Sequence, residues 1–165
     1  MSRELTKLTI ATAEDMNEFG LKVAKVLRAG DLLILTGPLG AGKTTFTRGV
    51  GEGLNAIGNV SSPTFVIART HKRENSEVPL VHVDAYRLSS VHEFDDLDID
   101  IDRSIVLVEW GRGFAEELAE SWLDIEIERD HTGETETRVV TITGNGPRWS
   151  DASEADFKLV DGGVL

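Results

Sequence analysis

The sequence predicts an α/β domain of three layers, with a central mixed, mainly parallel sheet and an antiparallel hairpin toward its C-terminal end. Three observations carry that prediction. The apolar run Leu32-Leu33-Ile34-Leu35 leads directly into the glycine-rich stretch Gly37-Pro38-Leu39-Gly40-Ala41-Gly42-Lys43-Thr44, with helix-like sequence after it. Two further strand-like runs, Leu80–Val83 and Ile105–Val108, each end in an acid, Asp84 and Glu109. Residues 122–128 and 138–143 alternate around Thr132-Gly133, the pattern of a hairpin. Strands interleaved with helices around one apolar strand favour a single layered unit, and the hairpin makes the sheet mixed.

Taken in order, Leu5–Ile10 alternates enough to open the sheet. Thr12 offers an N-cap, with Glu14 and Asp15 placed to favour the positive end of a helix. Met16, Phe19, Val23, Val26 and Leu27 recur at helical spacing, and Gly30 stops that helix. Leu32–Thr36 is apolar throughout, hence central, and residues 43 to about 54 read as the helix that follows. A loop at 58–63 precedes the strand-like Thr64–Ala68, and the polar residues 71–77 turn the chain into 79–83. Residues 93–102 hold six acids interspersed with Phe94, Leu97, Ile99 and Ile101, a solvated face or a docking segment for a partner. After Gly146-Pro147 the composition turns polar and acidic, so residues 1–147 read as the domain and 148–165 as a loosely ordered tail.

The gross numbers bound the function. A chain of 165 residues can bury one core, and its 40% apolar and 28% charged residues are those of a globular protein. It has no run of eighteen apolar residues and no apolar leader core after Met1, so no membrane is expected and the cytoplasm is the expected compartment. Zero cysteines exclude a disulfide or a thiolate metal site. A net charge of −12 disfavours broad contact with a nucleic-acid backbone, so any nucleic acid is expected to be held by a partner protein.

Residues 37–44 match the phosphate-binding loop G-x-x-x-x-G-K-S/T and define a P-loop NTPase type of domain. Its glycines let main-chain N–H groups point at phosphate oxygens, Lys43 reaches the terminal phosphates, and the Thr44 hydroxyl is suited to Mg²⁺. Pro38, Leu39, Gly40, Ala41, Gly42, Lys43, Thr44 and Thr45 are therefore the expected nucleotide contacts. Hydrolysis needs more than a grip on phosphate: a metal held from a second side and a group orienting the attacking water. Asp84 and Glu109, at the ends of neighbouring strands, are the candidates, and spacing alone does not say which does which. Thr64 is either a switch residue that closes on a terminal phosphate or part of a Pro-containing turn feeding a strand. Arg48, Arg69, Arg87 and Arg112 are candidates to meet transition-state charge, with Arg87 the best placed. His82 faces the same side as Asp84, either as a positioned hydrogen-bonding group or as a satisfied core residue. Trp110 either stacks at the site or caps the core. No N-K-x-D motif is present, which disfavours a guanine-specific enzyme. The base contacts then fall to the Ile10–Ala13 edge and the 131–138 turn, including Arg138.

The chain resembles the TsaE (YjeE) family of small P-loop ATPases in bacterial tRNA threonylcarbamoyladenosine biosynthesis. The resemblance spans about residues 5–145 and rests on the loop through Thr45, then Ser62-Pro63-Thr64-Phe65, His82-Val83-Asp84-Ala85-Tyr86-Arg87 and Glu109-Trp110. It implies ATP and Mg²⁺ as cofactors, with Thr44 and Glu109 as metal ligands and Asp84 as an acid essential for hydrolysis. It also implies partner-dependent ATPase activity with TsaD and TsaB-like proteins. TsaD transfers the threonylcarbamoyl group to the adenosine next to the anticodon, and tRNA is met only indirectly. Two other classes stay open on the residues themselves, a small-molecule or nucleotide kinase and a non-hydrolysing nucleotide-dependent binding module. The sparse arginines after residue 110 argue against a kinase lid.

Overall fold

The computed structural model describes residues 2–38, 40–58, 68–85, 93, 96–110, 115–129, 135, 137–153 and 156–157. The elements are β1 (Ser2–Ile10), α1 (Ala13–Ala24), β2 (Leu32–Thr36), α2 (Lys43–Gly53), β3 (Ala68–His71), β4 (Leu80–Asp84), β5 (Ile105–Glu109), β6 (Trp122–Arg129) and β7 (Arg138–Asn145). They form a seven-stranded sheet in the order β1-β7-β6-β2-β5-β4-β3. β6, β2, β5 and β4 run parallel, and antiparallel strands flank that block on both sides. The expected mixed α/β sheet with a terminal hairpin is the fold observed.

β1 begins three residues before its apolar alternation because Ser2, Arg3 and Glu4 pair with Asn145, Gly144 and Thr143. Main-chain pairing along β7, not side-chain burial, sets that boundary. Thr12 caps α1 as its sequence position requires, its hydroxyl accepting from the Asp15 N–H at 3.1 Å. α1 ends at Ala24, short of Val26 and Leu27, which still pack partly buried against the core.

Both helices lie on one face of the sheet, where Met16, Phe19, Val23, Phe46 and Val50 meet Leu33, Leu35, Leu107, Ile125 and Ile142. They pack closely because Gly20 and Gly49 face each other. A Cβ at Gly49 would stand 3.1 Å from the Gly20 Cα and run into the Asn17 carbonyl. The other face carries Leu32, Ile34, Val81, Val83, Val106 and Val108. Its cover includes Leu97, Ile99, Ile101, Ala119 and Trp122, with short 3₁₀ turns at Ile101–Arg103 and Ala115–Leu118. Within 96–102 the acids Asp96, Asp98, Asp100 and Asp102 are exposed, while the apolar residues between them pack toward the sheet. That alternation explains the composition of the segment without a docked partner.

Part of the C-terminal segment packs against the core. Over residues 148–153 and 156–157 the chain is packed, with Trp149 and Phe157 buried in the main core. Arg148 fixes it, donating from Nε and Nη2 to the two carboxylate oxygens of Asp31 at 2.9 and 3.1 Å and to the Val26 carbonyl at 2.8 Å. Arg3 reaches the Ala152 carbonyl at 2.6 Å. Two apolar side chains and a forked ion pair outweigh the local acidity. Residues 154–155 and 158–165 lie outside the described residues, as do 64–67 of the expected strand before β3 and the Thr132-Gly133 turn.

His71 ends β3 buried, its Nδ1 3.4 Å from the Ile57 carbonyl oxygen and its Nε2 without a partner among the described residues. Burial holds its pKa below the ordinary histidine value near 6.5. The unfolded chain therefore takes up a proton that the folded chain resists. Stability present above about pH 6.5 is lost as pH falls toward the lowered folded value. Urea unfolding at pH 7.5 and 5.5 is expected to show a larger acid loss for the parent than for His71→Gln; equal losses would contradict this.

Candidate functional site

The site is assembled by strand register. Leu35 of β2 stands beside Glu109 of β5, and Glu109 stands beside Asp84 of β4. All three strands run the same way, so the loop leaving β2 and both acids emerge at one edge of the sheet. α2 then starts at Lys43, with Gly42 as its cap at φ 109°, a left-handed conformation that suits glycine. The new helix aims its N-terminal N–H groups into the same space.

That space is a cavity of about 290 Å³ lined by Gly40, Gly42, Lys43, Thr44, Thr45, Asp84, Glu109 and Trp110. Seven of the expected site residues, together with Trp110, thus surround one volume. Lys43 is buried, its Nζ donating to the carbonyls of Gly37 at 2.6 Å and Pro38 at 3.0 Å. The ammonium also lies 4.4 Å from the centre of the Trp110 ring. Burial pulls the Lys43 pKa below its ordinary value, and the charges of Glu109 and then Asp84 pull it back up. Trp110 holds a left-handed backbone, φ 61°, rare for a large side chain, and its N–H donates to the Leu35 carbonyl at 2.9 Å. Trp110 thus belongs to the site.

Glu109 is buried and accepts a 2.6 Å hydrogen bond on Oε2 from His82 Nε2. His82 is fully buried on β4. It is a core residue by burial that hydrogen-bonds through Nε2, but not the fully satisfied one of the second sequence reading, since its Nδ1 has no partner among the described residues.

A second cavity, about 130 Å³, adjoins the first through Gly40, Gly42 and Thr45 and is also lined by Thr12, Ala13, Met16, Ala41 and Arg138. The Ile10–Ala13 edge and the 131–138 turn, expected on the base side, thus each contribute lining residues here. Arg138 does more than line this cavity, since its Nε donates to the Ala41 carbonyl at 3.1 Å and its Nη2 to the Gly40 carbonyl at 3.2 Å. It braces the outside of the loop from β7. Met16 was legible only as a core residue; its place here depends on α1 packing along α2, which spacing does not reveal. Arg129, at the end of β6, also lies against the loop, within 3.5 Å of where a Gly40 Cβ would stand.

Some expected residues are elsewhere. Arg48 and Arg69 are exposed and line neither cavity. Leu39, Thr64, Arg87 and Arg112 lie outside the described residues. A third cavity, about 410 Å³, sits between Val26 and the C-terminal segment and shares nothing with the loop.

The fold and this edge define a P-loop α/β protein. A family model described as threonylcarbamoyl adenosine biosynthesis protein TsaE matches residues 10–139. The chain is 56% identical over 142 residues to a Streptomyces coelicolor protein named tRNA threonylcarbamoyladenosine biosynthesis protein TsaE, covering 83% of this chain and 95% of that one. A Bacillus subtilis protein of the same name is 38% identical over 139 residues, 82% of this chain and 84% of that one. The crystal structure of Bacillus subtilis YdiB superposes with a TM-score of 0.71 at 30% identity, covering 94% and 95% of the two chains. The chain belongs to the TsaE family.

Removing the brace should loosen the loop. Two hydrogen bonds of about 1 kcal/mol each amount to about 2 kcal/mol, so Arg138→Ala is expected to weaken inorganic tripolyphosphate binding by up to about thirtyfold. Unchanged tripolyphosphate affinity with weaker ATP binding would instead place Arg138 on the base alone.

Proposed function

We propose that this protein is the Mg²⁺-dependent ATP-binding and hydrolysing subunit in the formation of threonylcarbamoyladenosine next to the anticodon of tRNA. It acts in the cytoplasm through a TsaB–TsaD complex. The supporting observation is the 290 Å³ cavity that puts the loop, Thr44, Asp84 and Glu109 around one volume. The triphosphate lies along the loop, with its terminal phosphates toward Lys43 and its base toward Thr12, Ala13 and Met16.

The donor set fits magnesium. Thr44, Asp84 and Glu109 offer hard oxygens, and no group of three or more His, Cys, Asp or Glu residues suited to a metal occurs among the described residues. Magnesium ordinarily takes one or two carboxylates and completes its shell with phosphates and waters. Thr44 and Glu109 would hold it, and when bound it neutralises charge on the transferring phosphoryl group. Asp84 is the acid for hydrolysis, beside Glu109 and within electrostatic reach of Lys43. Lys43 supplies positive charge where the protein as a whole, at −12, has none to spare. That same net charge supports tRNA being held by the partners.

Lys43→Ala is expected to weaken ATP binding at least tenfold. Asp84→Asn is expected to bind ATP in Mg²⁺ within a few-fold of the parent and Glu109→Gln about tenfold more weakly, and both to lose about a hundredfold in hydrolysis with TsaB and TsaD present. Phosphate release at the parental rate from both acid variants would overturn their assignment, and phosphate appearing on an added acceptor would make the protein a kinase.

A further inference from the structure

β4 reads Leu80-Val81-His82-Val83-Asp84, and its one polar residue before the terminal acid is fully buried. Packing alone does not explain a histidine there. Its Nδ1 is buried without a partner among the described residues, a cost that a leucine would not carry. The single hydrogen bond its side chain makes among those residues is from Nε2 to Glu109 Oε2, 2.6 Å long. A carboxylate only accepts, so Nε2 is the nitrogen that carries the proton.

Register makes that contact possible. His82 stands opposite Leu107 and Asp84 opposite Glu109, so the imidazole reaches Glu109 diagonally from two residues below, on the face shared with the helices. Glu109 is itself buried, and a carboxyl on a flexible stem has several orientations to lose. One bond to a ring rigidly seated in the sheet removes most of them.

We propose that His82 is the positioning residue for Glu109: its ring N–H holds one carboxylate oxygen so that the other stays available to a divalent cation in the loop cavity. The proposal rests on reading Glu109 as a metal ligand. Partners that orient a ligating side chain commonly set metal affinity by ten- to a hundredfold. His82 itself touches neither metal nor phosphate and contributes nothing to nucleotide binding in the absence of metal.

The test is calorimetric: ATP affinity of the purified protein in EDTA and in saturating Mg²⁺, for the parent and for His82→Leu, His82→Asn, His82→Gln and Glu109→Gln. The parent and the three His82 variants are expected to bind metal-free ATP within about twofold of one another, while Glu109→Gln serves only as the reference for loss of the metal-dependent gain. The metal-dependent gain should fall about tenfold in His82→Leu and in His82→Asn, whose amide stops short of Glu109. His82→Gln, which carries an N–H at nearly the reach of Nε2, should restore it. If Glu109→Gln loses the gain while His82→Leu keeps it, His82 does not position the ligand and the metal-site reading survives. If Glu109→Gln keeps the gain as well, the reading of Glu109 fails and this proposal with it. Should His82→Leu not fold, as judged by its thermal transition, the Asn and Gln pair decides, and equal gains in those two overturn the proposal.

Discussion

Everything at the site depends on the parallel ladder of β2, β5 and β4 holding one register. Leu35, Glu109 and Asp84 stand side by side, so the loop and both acids arrive at the sheet edge together. No side chain has to bring them there; main-chain hydrogen bonds do. A slip of one residue would flip Glu109 and His82 to the opposite face, away from α2 and the loop. The register is protected because these strands are buried on both faces, by the helices on one and by the 96–103 and 115–122 segments on the other. Buried apolar strands then act as rulers for the charged groups at their ends.

The electrostatics follow from the same layout. A lysine, two carboxyl groups and a histidine are gathered where water is scarce, and an isolated charge there would be costly. The structure answers with pairing: Glu109 accepts from His82, while Lys43 donates to two loop carbonyls and sits over the Trp110 ring. The lysine is therefore held, partly desolvated, at the wall of the cavity. The left-handed backbone at Trp110 is the local strain that accompanies this placement.

Much of this was legible in the sequence because it is local. The phosphate loop is a contiguous motif, Thr12 announces its helix, and strands that end in acids mark the edge of a parallel sheet. What resisted reading depends on long-range pairing. Ser2–Glu4 look like a polar leader and become a strand only because β7 offers partners. Trp149 and Phe157 sit in acidic sequence and look exposed, yet the core had room for both and Asp31 was waiting for Arg148. Arg138 was visible as a cation near a turn, but its grip on Gly40 and Ala41 depends on β7 lying beyond β6 in the sheet. Met16 likewise reaches the second cavity only through the close packing of α1 on α2.

The central claim is that one sheet edge gathers the triphosphate, its cation and both carboxyl groups into a single volume. A crystal structure with Mg²⁺ and a non-hydrolysable ATP analogue tests it most directly. The account predicts terminal phosphates against the Lys43 amine, the cation between Thr44 and Glu109, and the base beside Thr12 and Met16. A nucleotide seated instead in the cavity beneath Arg148 and Phe157, with the loop empty, would contradict it.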